Sequence, residues 1–307
     1  MAKQNLIIAT RGSQLALWQA NWVAESLKKS HPTLQIDLLP INTTADKSPY
    51  LSLAASGGKG LFVKELEQAL QDGRADIAVH SLKDMPMDVP DGLALPVICQ
   101  REQPWDVLVS NQYKCLADLP QGAVVGTSSL RRQSQLHHLR PDLRVEGLRG
   151  NVNTRLARLD SGEYAAIVLA AAGLIRLGLL PRVTAMLGSN EFLPAAGQGA
   201  LGIECRADDS EILQLITSLN DKTTELCTKA ERALCKKLEA GCQVPVAAYA
   251  EMKDDHIFLR GLVSSIDGKT MLRAQAYGSA TEPEKMGAIV ALDLLNQGAE
   301  KILKSLR

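Results

Sequence analysis

Aromatic side chains are scarce in this chain of 307 residues: Phe, Trp and Tyr together make up 4% of it. Stacking platforms for nucleobases need aromatic rings, so single-strand nucleic-acid binding has little to build on. Net charge is missing too. Lys and Arg number 34, and so do Asp and Glu, whereas a nucleic-acid binder shows a basic excess. No apolar run approaches the roughly twenty residues that span a bilayer. The stretch Leu6-Ile7-Ile8-Ala9 is too short for the apolar region of a signal peptide, and a soluble cytoplasmic protein is expected. The six cysteines (Cys99, Cys115, Cys205, Cys227, Cys235 and Cys242) form no CxxC pair and have no histidine at zinc-finger spacing. Free, mostly buried thiols are therefore expected. Also absent are the GxSxG nucleophile elbow, the GxxxxGK[ST] phosphate loop and the HExxH zinc motif. His80, His137 and His138 have no carboxylates at ligand spacing, so no metal is expected.

What is present alternates between strand and helix. Leu6 to Thr10 reads as a buried strand, Arg11-Gly12-Ser13 as a turn, and Leu15, Trp18, Trp22, Val23 and Leu27 as the apolar face of a helix with Ser13 as its N-cap. Further strands are predicted at Leu34 to Ile41, Ala75 to Val79 and Leu93 to Cys99, with a helix over Leu61 to Gln71. The polar stretch from Asn42 to Lys59 lacks periodicity and reads as a loop or lid. The pattern then restarts: strand at Ala123 to Gly126, turn at Thr127-Ser128-Ser129, helix from Leu130, strands at Leu143 to Val145 and Ala165 to Ala170, and a helix over Val152 to Leu159. Such repetition implies two parallel, doubly wound α/β domains. The last third differs. A helix over Thr223 to Ala240 is expected to end at Gly241. Strands follow at Val244 to Met252, Ile257 to Val263 and Thr270 to Tyr277, with a turn at Asp267-Gly268, and then a helix over Pro283 to Leu295. This is an α+β domain with a three-stranded antiparallel sheet.

Three features carry chemistry. Seven arginines (Arg131, Arg132, Arg140, Arg144, Arg149, Arg155 and Arg158) lie in one segment with no lysine, opposed by Asp142 and Glu146. Arginine is preferred where a planar fork grips carboxylate or phosphate, although a solvated charged face accounts for any single one. Asp84 follows a strand, in the crevice region where open α/β sheets place ligands. Beside Lys83 it suits stabilising a developing cation, or else it caps the turn before Met85-Pro86. Cys242 follows Gly241 past a helix C-terminus, an end that does not activate a thiol; by spacing alone it reads as a buried thiol.

Seven segments, in order, resemble the porphobilinogen deaminase family. They are Ala9 to Ser13 with Leu15 to Leu17, Gly57 to Glu67, Asp76 to Asp84, Gly126 to Arg132, Leu148 to Val152, Leu193 to Gly199, and Leu238 to Pro245. The resemblance implies a transferase of tetrapyrrole (haem) biosynthesis that deaminates four porphobilinogen molecules and joins them head to tail. A covalent dipyrromethane primer would be held by Cys242 through a thioether, and hydrolysis would release hydroxymethylbilane. It implies that Asp84 is the catalytic carboxylate. It places Ser13, Lys83, Thr127, Ser128, Ser129, Arg131, Arg132, Arg149 and Gly150 against the cofactor, and Arg11, Ser13, Lys59, Arg149, Arg155 and Arg176 against substrate. The implied fold is two domains resembling type II periplasmic binding proteins with the active site between them, plus the α+β domain. Boundaries are expected at 1–99 with 200–218, 100–199 and 219–307. The expected partner is porphobilinogen, with no nucleic acid, no membrane and a monomeric chain. Ala45 and Ala55 depart from the glycine and lysine more common in bacterial relatives, which implies altered loop closure and elongation rate. The competing readings are a solute-binding or effector-sensing protein, with an anionic ligand among the arginines, and an RNA-binding protein using residues 131–158.

Overall fold

The computed structural model describes residues 3–43, 63–188, 191–241 and 244–306. In chain order the elements are β1 (Asn5–Arg11), α1 (Gln14–Ser30), β2 (Gln35–Ile41), α2 (Lys64–Gln71), β3 (Ile77–Ser81), β4 (Leu93–Ile98), β5 (Asp106–Val109), β6 (Val124–Gly126) and α3 (Leu130–Leu139). There follow β7 (Arg144–Glu146), α4 (Val152–Asp160), β8 (Ala166–Ala170), α5 (Ala171–Arg176), β9 (Ala185–Leu187), β10 (Leu201–Arg206), α6 (Ser210–Ile216) and α7 (Lys222–Lys237). The chain closes with β11 (Val246–Lys253), β12 (His256–Ser264), β13 (Met271–Ser279), α8 (Pro283–Asn296) and α9 (Ala299–Lys304). Contacts divide it into two compact units, Met1–Glu102 with Ala200–Glu225, and Gln103–Gly199 with Leu226–Arg307.

The first unit is built on the sheet β2-β1-β3-β10-β4. β1 runs parallel to β2 and β3, while β10 is antiparallel to both β3 and β4. Alternation along each strand sends side chains to opposite faces, and helices cover both. On one face Ile8, Val79, Ile203 and Cys205 pack with Val23 and Leu27 of α1 and Ile212 and Ile216 of α6. On the other, Ala9 and Ala78 pack with Leu66, Ala69 and Leu70 of α2. Within α1 the buried stripe is Ala20, Val23, Ala24 and Leu27, joined by Gln19, whereas Trp18 lies at the surface, 36% exposed. The expected apolar face was thus rotated toward Trp18, because large size alone does not decide which side meets the sheet.

The second unit repeats the plan in the sheet β7-β6-β8-β5-β9, with β6 parallel to β7 and β8, and β5 antiparallel to β8 and β9. Leu156 and Leu159 of α4 and Leu174 of α5 cover one face, and Leu136 of α3 the other. Both sheets are therefore doubly wound but mixed, not wholly parallel. β10 and β5, each placed second from an edge, were not legible as strands in the alternating pattern. They are the segments with which the chain re-enters the first unit and enters the second, and each pairs antiparallel with its sheet neighbours.

The second unit also carries the antiparallel sheet β11-β12-β13, as the three strand-like runs implied. Its strands are displaced by one or two residues from expectation. α7 stops at Lys237, short of Gly241: Glu239 takes the left-handed conformation (φ 50°), while Ala240 N–H donates to Cys235 O and Glu239 N–H to Lys236 O. Those bonds satisfy the last carbonyls without glycine. The turn between β12 and β13 contacts α3 directly. His137 and His138 donate from Nδ1 to Ile266 O and Gly268 O, each at 3.1 Å.

Gly268 has φ +69°, and a Cβ there would lie 2.5 Å from His138 N and 2.6 Å from Ser134 O. Gly268→Ala combines a strained backbone with an approach to rigid helix backbone. It should destabilise the second unit by about 1–3 kcal/mol, read as a lower denaturation midpoint with an unchanged slope in urea.

Candidate active site

In an open α/β sheet the crevice opens where strand order reverses, outside the carboxyl ends of the strands. In the first unit that point lies between β1 and β3. A cavity of about 90 Å³ sits there, lined among others by Arg11, Ser13, Gln19, His80, Ser81 and Asp84. Ser13 caps α1, accepting from Ala16 N–H at 3.3 Å, so the helix N-terminus and the Arg11 guanidinium both favour an anionic ligand. Gln19 Nε2 donates to Ser81 Oγ at 3.0 Å and ties α1 to the end of β3. A single 3-10 turn, Leu82–Asp84, follows, anchored where Leu82 N–H donates to Ala200 O at 3.0 Å. The Asp84 side chain makes no capping bond in that turn and no hydrogen bond among the described residues. The capping alternative is therefore not what the fold uses. A carboxylate at the cavity wall beside cationic and hydroxyl groups can hold an N–H donor or a developing positive charge.

Deeper in the same unit, His80 Nε2 lies 3.0 Å from Glu204 Oε2, and both side chains are buried. Glu67 of α2 is close enough for its charge to matter. Burial pushes its carboxyl up, Glu204 adds to that, and His80 and Lys64 oppose it. Sequence reading considered His80 only as a metal ligand and passed over Glu67 and Glu204. The signal it could have used is that His80 shares its strand end with Asp84.

At the equivalent place in the second unit, the turn after β6 carries Thr127, Ser128 and Ser129. Ser129 caps α3, accepting from Arg132 N–H at 3.4 Å, Thr127 Oγ1 accepts from Ser129 N–H at 3.2 Å, and Ser128 Oγ donates to Leu148 O at 3.1 Å. Gly150, at φ +106°, precedes the Asn151 cap of α4, and Arg155 Nε donates to Gly150 O at 2.7 Å. After β8, α5 ends in Arg176, which is buried and donates to Gly199 O at 2.6 Å.

The arginine-rich segment resolves into two groups. Arg140, Arg144 and Arg158 pair with Asp142, Glu146 and Glu163; this is the solvated-face reading for Arg144 and Arg158, while Arg140 also donates to Leu116 O and Leu119 O. Arg131 and Arg132 are buried around Asp106, which sequence reading missed. Arg131 Nη1 lies 2.6 Å from Asp106 Oδ2, and Arg132 Nη2 2.7 Å from Oδ1. Gln198 Nε2 also donates to Asp106 Oδ1, at 3.1 Å. Lys83 lies in the 3-10 turn with Asp84. Arg149 lies between β7 and α4, ahead of Gly150. Cys242 and Lys59, with Ala45 and Ala55, lie outside the described residues. The described cysteines are free, four of them buried, and burial pushes the Cys205 thiol up to about 11.

Burial alone would raise the Asp106 carboxyl; the charges and hydrogen bonds of Arg131 and Arg132 outweigh it and hold the group well below the ordinary carboxylate range. A depressed folded value means that this stabilisation is complete above the unfolded carboxylate range and is lost only in strong acid. Asp106→Asn leaves two guanidinium charges buried and should cost about 3–5 kcal/mol. The stability gap to wild type, read by urea unfolding, should be the same at about pH 7 and about pH 5.

Among solved structures the chain is similar to a putative methionine-binding lipoprotein from Bacillus subtilis (16% identity, 72% of this chain and 92% of that one, TM-score 0.44). It is also similar to a periplasmic substrate-binding protein of an ABC transporter from Coxiella burnetii (15% identity, 70% and 91%, TM-score 0.44). A nutrient-binding protein from Burkholderia cenocepacia bound to methionine matches at 14% identity, over 69% and 90%, with a TM-score of 0.43. None of the described helices is long and apolar enough to cross a membrane. Two family models match in succession: the porphobilinogen deaminase dipyrromethane cofactor binding domain over residues 6–214, and the porphobilinogen deaminase C-terminal domain over residues 225–296. Together they take in both five-stranded sheets and the three-stranded one, and the chain belongs to the porphobilinogen deaminase family, transferases that release ammonia.

Proposed function

We propose that this chain joins four porphobilinogen molecules head to tail onto a dipyrromethane primer attached through Cys242, and releases hydroxymethylbilane by hydrolysis. The observation that carries the reading is the cavity at the β1–β3 switch point, where Asp84 shares a wall with Arg11 and Ser13 in a chain matched over residues 6–214 and 225–296 by the two family models. The donor set fits the group. A dipyrromethane and its extensions are pyrroles bearing carboxylate side chains, so they need N–H acceptors and anion donors together. Asp84 supplies the first. Arg11, Ser13 and Lys83 supply the second in the first unit, and the second unit offers donors of the same kind in Thr127, Ser128, Ser129, Arg149, Gly150 and Arg155, with Arg176 and, outside the described residues, Lys59 assigned to substrate on this reading. Arg131 and Arg132 support the reading through their hold on Asp106, which fixes the helix that follows Thr127–Ser129.

When bound, the primer supplies the pyrrole carbon on which the chain grows. Loss of ammonia from porphobilinogen leaves an electrophilic carbon whose positive charge is shared with the pyrrole nitrogen, and on this reading the Asp84 carboxylate lowers the energy of that charge. Charge-assisted hydrogen bonds from the arginines contribute about 1.5–3 kcal/mol each, which holds a lengthening polyanion in register. The three expected domains, 1–99 with 200–218, 100–199 and 219–307, follow the same reading, with the third delivering Cys242.

Incubating the apoprotein with porphobilinogen should add the mass of two linked pyrrole units, mapped to the peptide containing Cys242. No adduct after prolonged incubation would favour a binding protein. Asp84→Asn should fold and carry the adduct yet turn over at least about a hundredfold more slowly; full activity refutes its role. Arg149→Leu should impair primer assembly or elongation with an unchanged melting temperature, measured by adduct mass and product release.

A further inference from the structure

The cavity holds a second titratable group that the reading above does not use. His80 lines it together with Asp84 and Arg11, and reaches back to Glu204 on β10, which is wholly buried. With Glu204 taken as the acceptor, the hydrogen of the 3.0 Å contact sits on Nε2 of the histidine. That fixes the tautomer and leaves Nδ1 as the basic nitrogen of the neutral ring, with no hydrogen bond among the described residues. A buried carboxylate orienting one imidazole nitrogen while the other stays basic is the arrangement of a general base.

We propose that the His80–Glu204 pair is the proton acceptor of the cavity, His80 taking the proton released at each coupling while Asp84 keeps its charge; this rests on the porphobilinogen deaminase reading. The balance closes within one cycle. As the new carbon–carbon bond forms, the attacking ring carbon loses its hydrogen as a proton and the C–H electron pair returns to the ring. The proton passes to Nδ1 of His80, giving an imidazolium paired with the Glu204 carboxylate. The ammonia set free in the same cycle then removes it and departs as ammonium. A single carboxylate could not do both jobs well, because Asp84 would forfeit the charge that steadies the cationic carbon whenever it took up the proton. Two groups in different environments divide the work.

The surroundings of His80 agree. Glu204 bonds to it from β10, Glu67 of α2 is near enough to interact with it and with Lys64, and Arg11 and Asp84 line the same cavity. Glu67 and Glu204 each keep one buried carboxyl oxygen without a hydrogen-bond partner. Burial and the neighbouring Glu204 hold the Glu67 carboxyl in its protonated form to higher pH than usual.

The test uses variants that keep the 3.0 Å hydrogen bond. His80→Gln retains an N–H toward Glu204 but removes the base. In holoenzyme of equal adduct content it should lower kcat about tenfold or more, leave KM within about twofold, and abolish the acid limb of the kcat–pH profile. Glu204→Gln keeps the acceptor but withdraws the charge that favours the imidazolium, so the acid limb should move to lower pH. A merely structural pair would lower melting temperature and leave both profiles unchanged, and that result overturns the proposal. An independent readout is the ring ¹⁵N spectrum of His80, one of five histidines, assigned by its loss in His80→Gln. The Nε2–H tautomer is expected with or without primer, and the Nδ1–H tautomer would overturn the pairing. Absence of any turnover by wild type, with the Nε2–H tautomer present, would count against the enzyme reading rather than the pair.

Discussion

Asp106 is the constraint around which the second unit is organised. It stands at the first position of an antiparallel strand, wholly buried, with Arg131 and Arg132 on its two oxygens and Gln198 on one of them. One negative charge between two guanidinium groups is tolerable in the interior only with every contact in place, because an unpaired buried charge costs far more than a pair contributes. The arginines also donate to Leu193 O and Val168 O. The start of α3, strand β8 and the 193–198 segment are thereby fixed with respect to β5. The Thr127–Ser129 turn, immediately before α3, has its position set by the same contacts.

The first unit uses the same device in another chemical form. Its antiparallel strand β10 also brings a buried carboxylate, Glu204, to a basic residue, here His80 on the adjacent parallel strand. An arginine stays charged at all accessible pH values, so the Asp106 cluster is a fixed electrostatic clamp. The imidazole of His80 instead has two distinct ring nitrogens, and Nε2 is the one that meets Glu204. The two sheets have the same strand order, and the buried carboxylate meets arginine in one and histidine in the other.

Position at the switch point explains why the candidate site needs so few residues from each strand. β1 ends at Arg11 and passes into the Ser13 cap of α1, while β3 ends at Ser81 and passes into the turn bearing Asp84. Parallel neighbours whose helices lie on opposite faces of the sheet leave their carboxyl ends uncovered between them. Gln19, bonded to Ser81 across the gap, holds the two ends together.

Much of this was legible in the chain itself, because hydrophobic periodicity and turn chemistry are local. The β1–turn–α1 and β6–turn–α3 repeats, the caps at Ser13 and Ser129, the three antiparallel strands with the turn at Gly268, and Asp84 at a strand end all follow from residues within a turn or two of one another. The in-order motifs fixed the family for the same reason. What could not be read was every feature requiring distant segments to meet. The antiparallel strands β5 and β10 enter each sheet from the far side of a chain crossover, so no neighbouring pattern announces them. Asp106 finds Arg131 and Arg132 about twenty-five residues on, and His80 finds Glu204 after more than a hundred. Composition and local spacing determined the elements, the family and the charged residues available. Only the tertiary structure decided which of those charges neutralise one another in the interior and which line the cavity, since burial and pairing depend on neighbours that the sequence keeps apart.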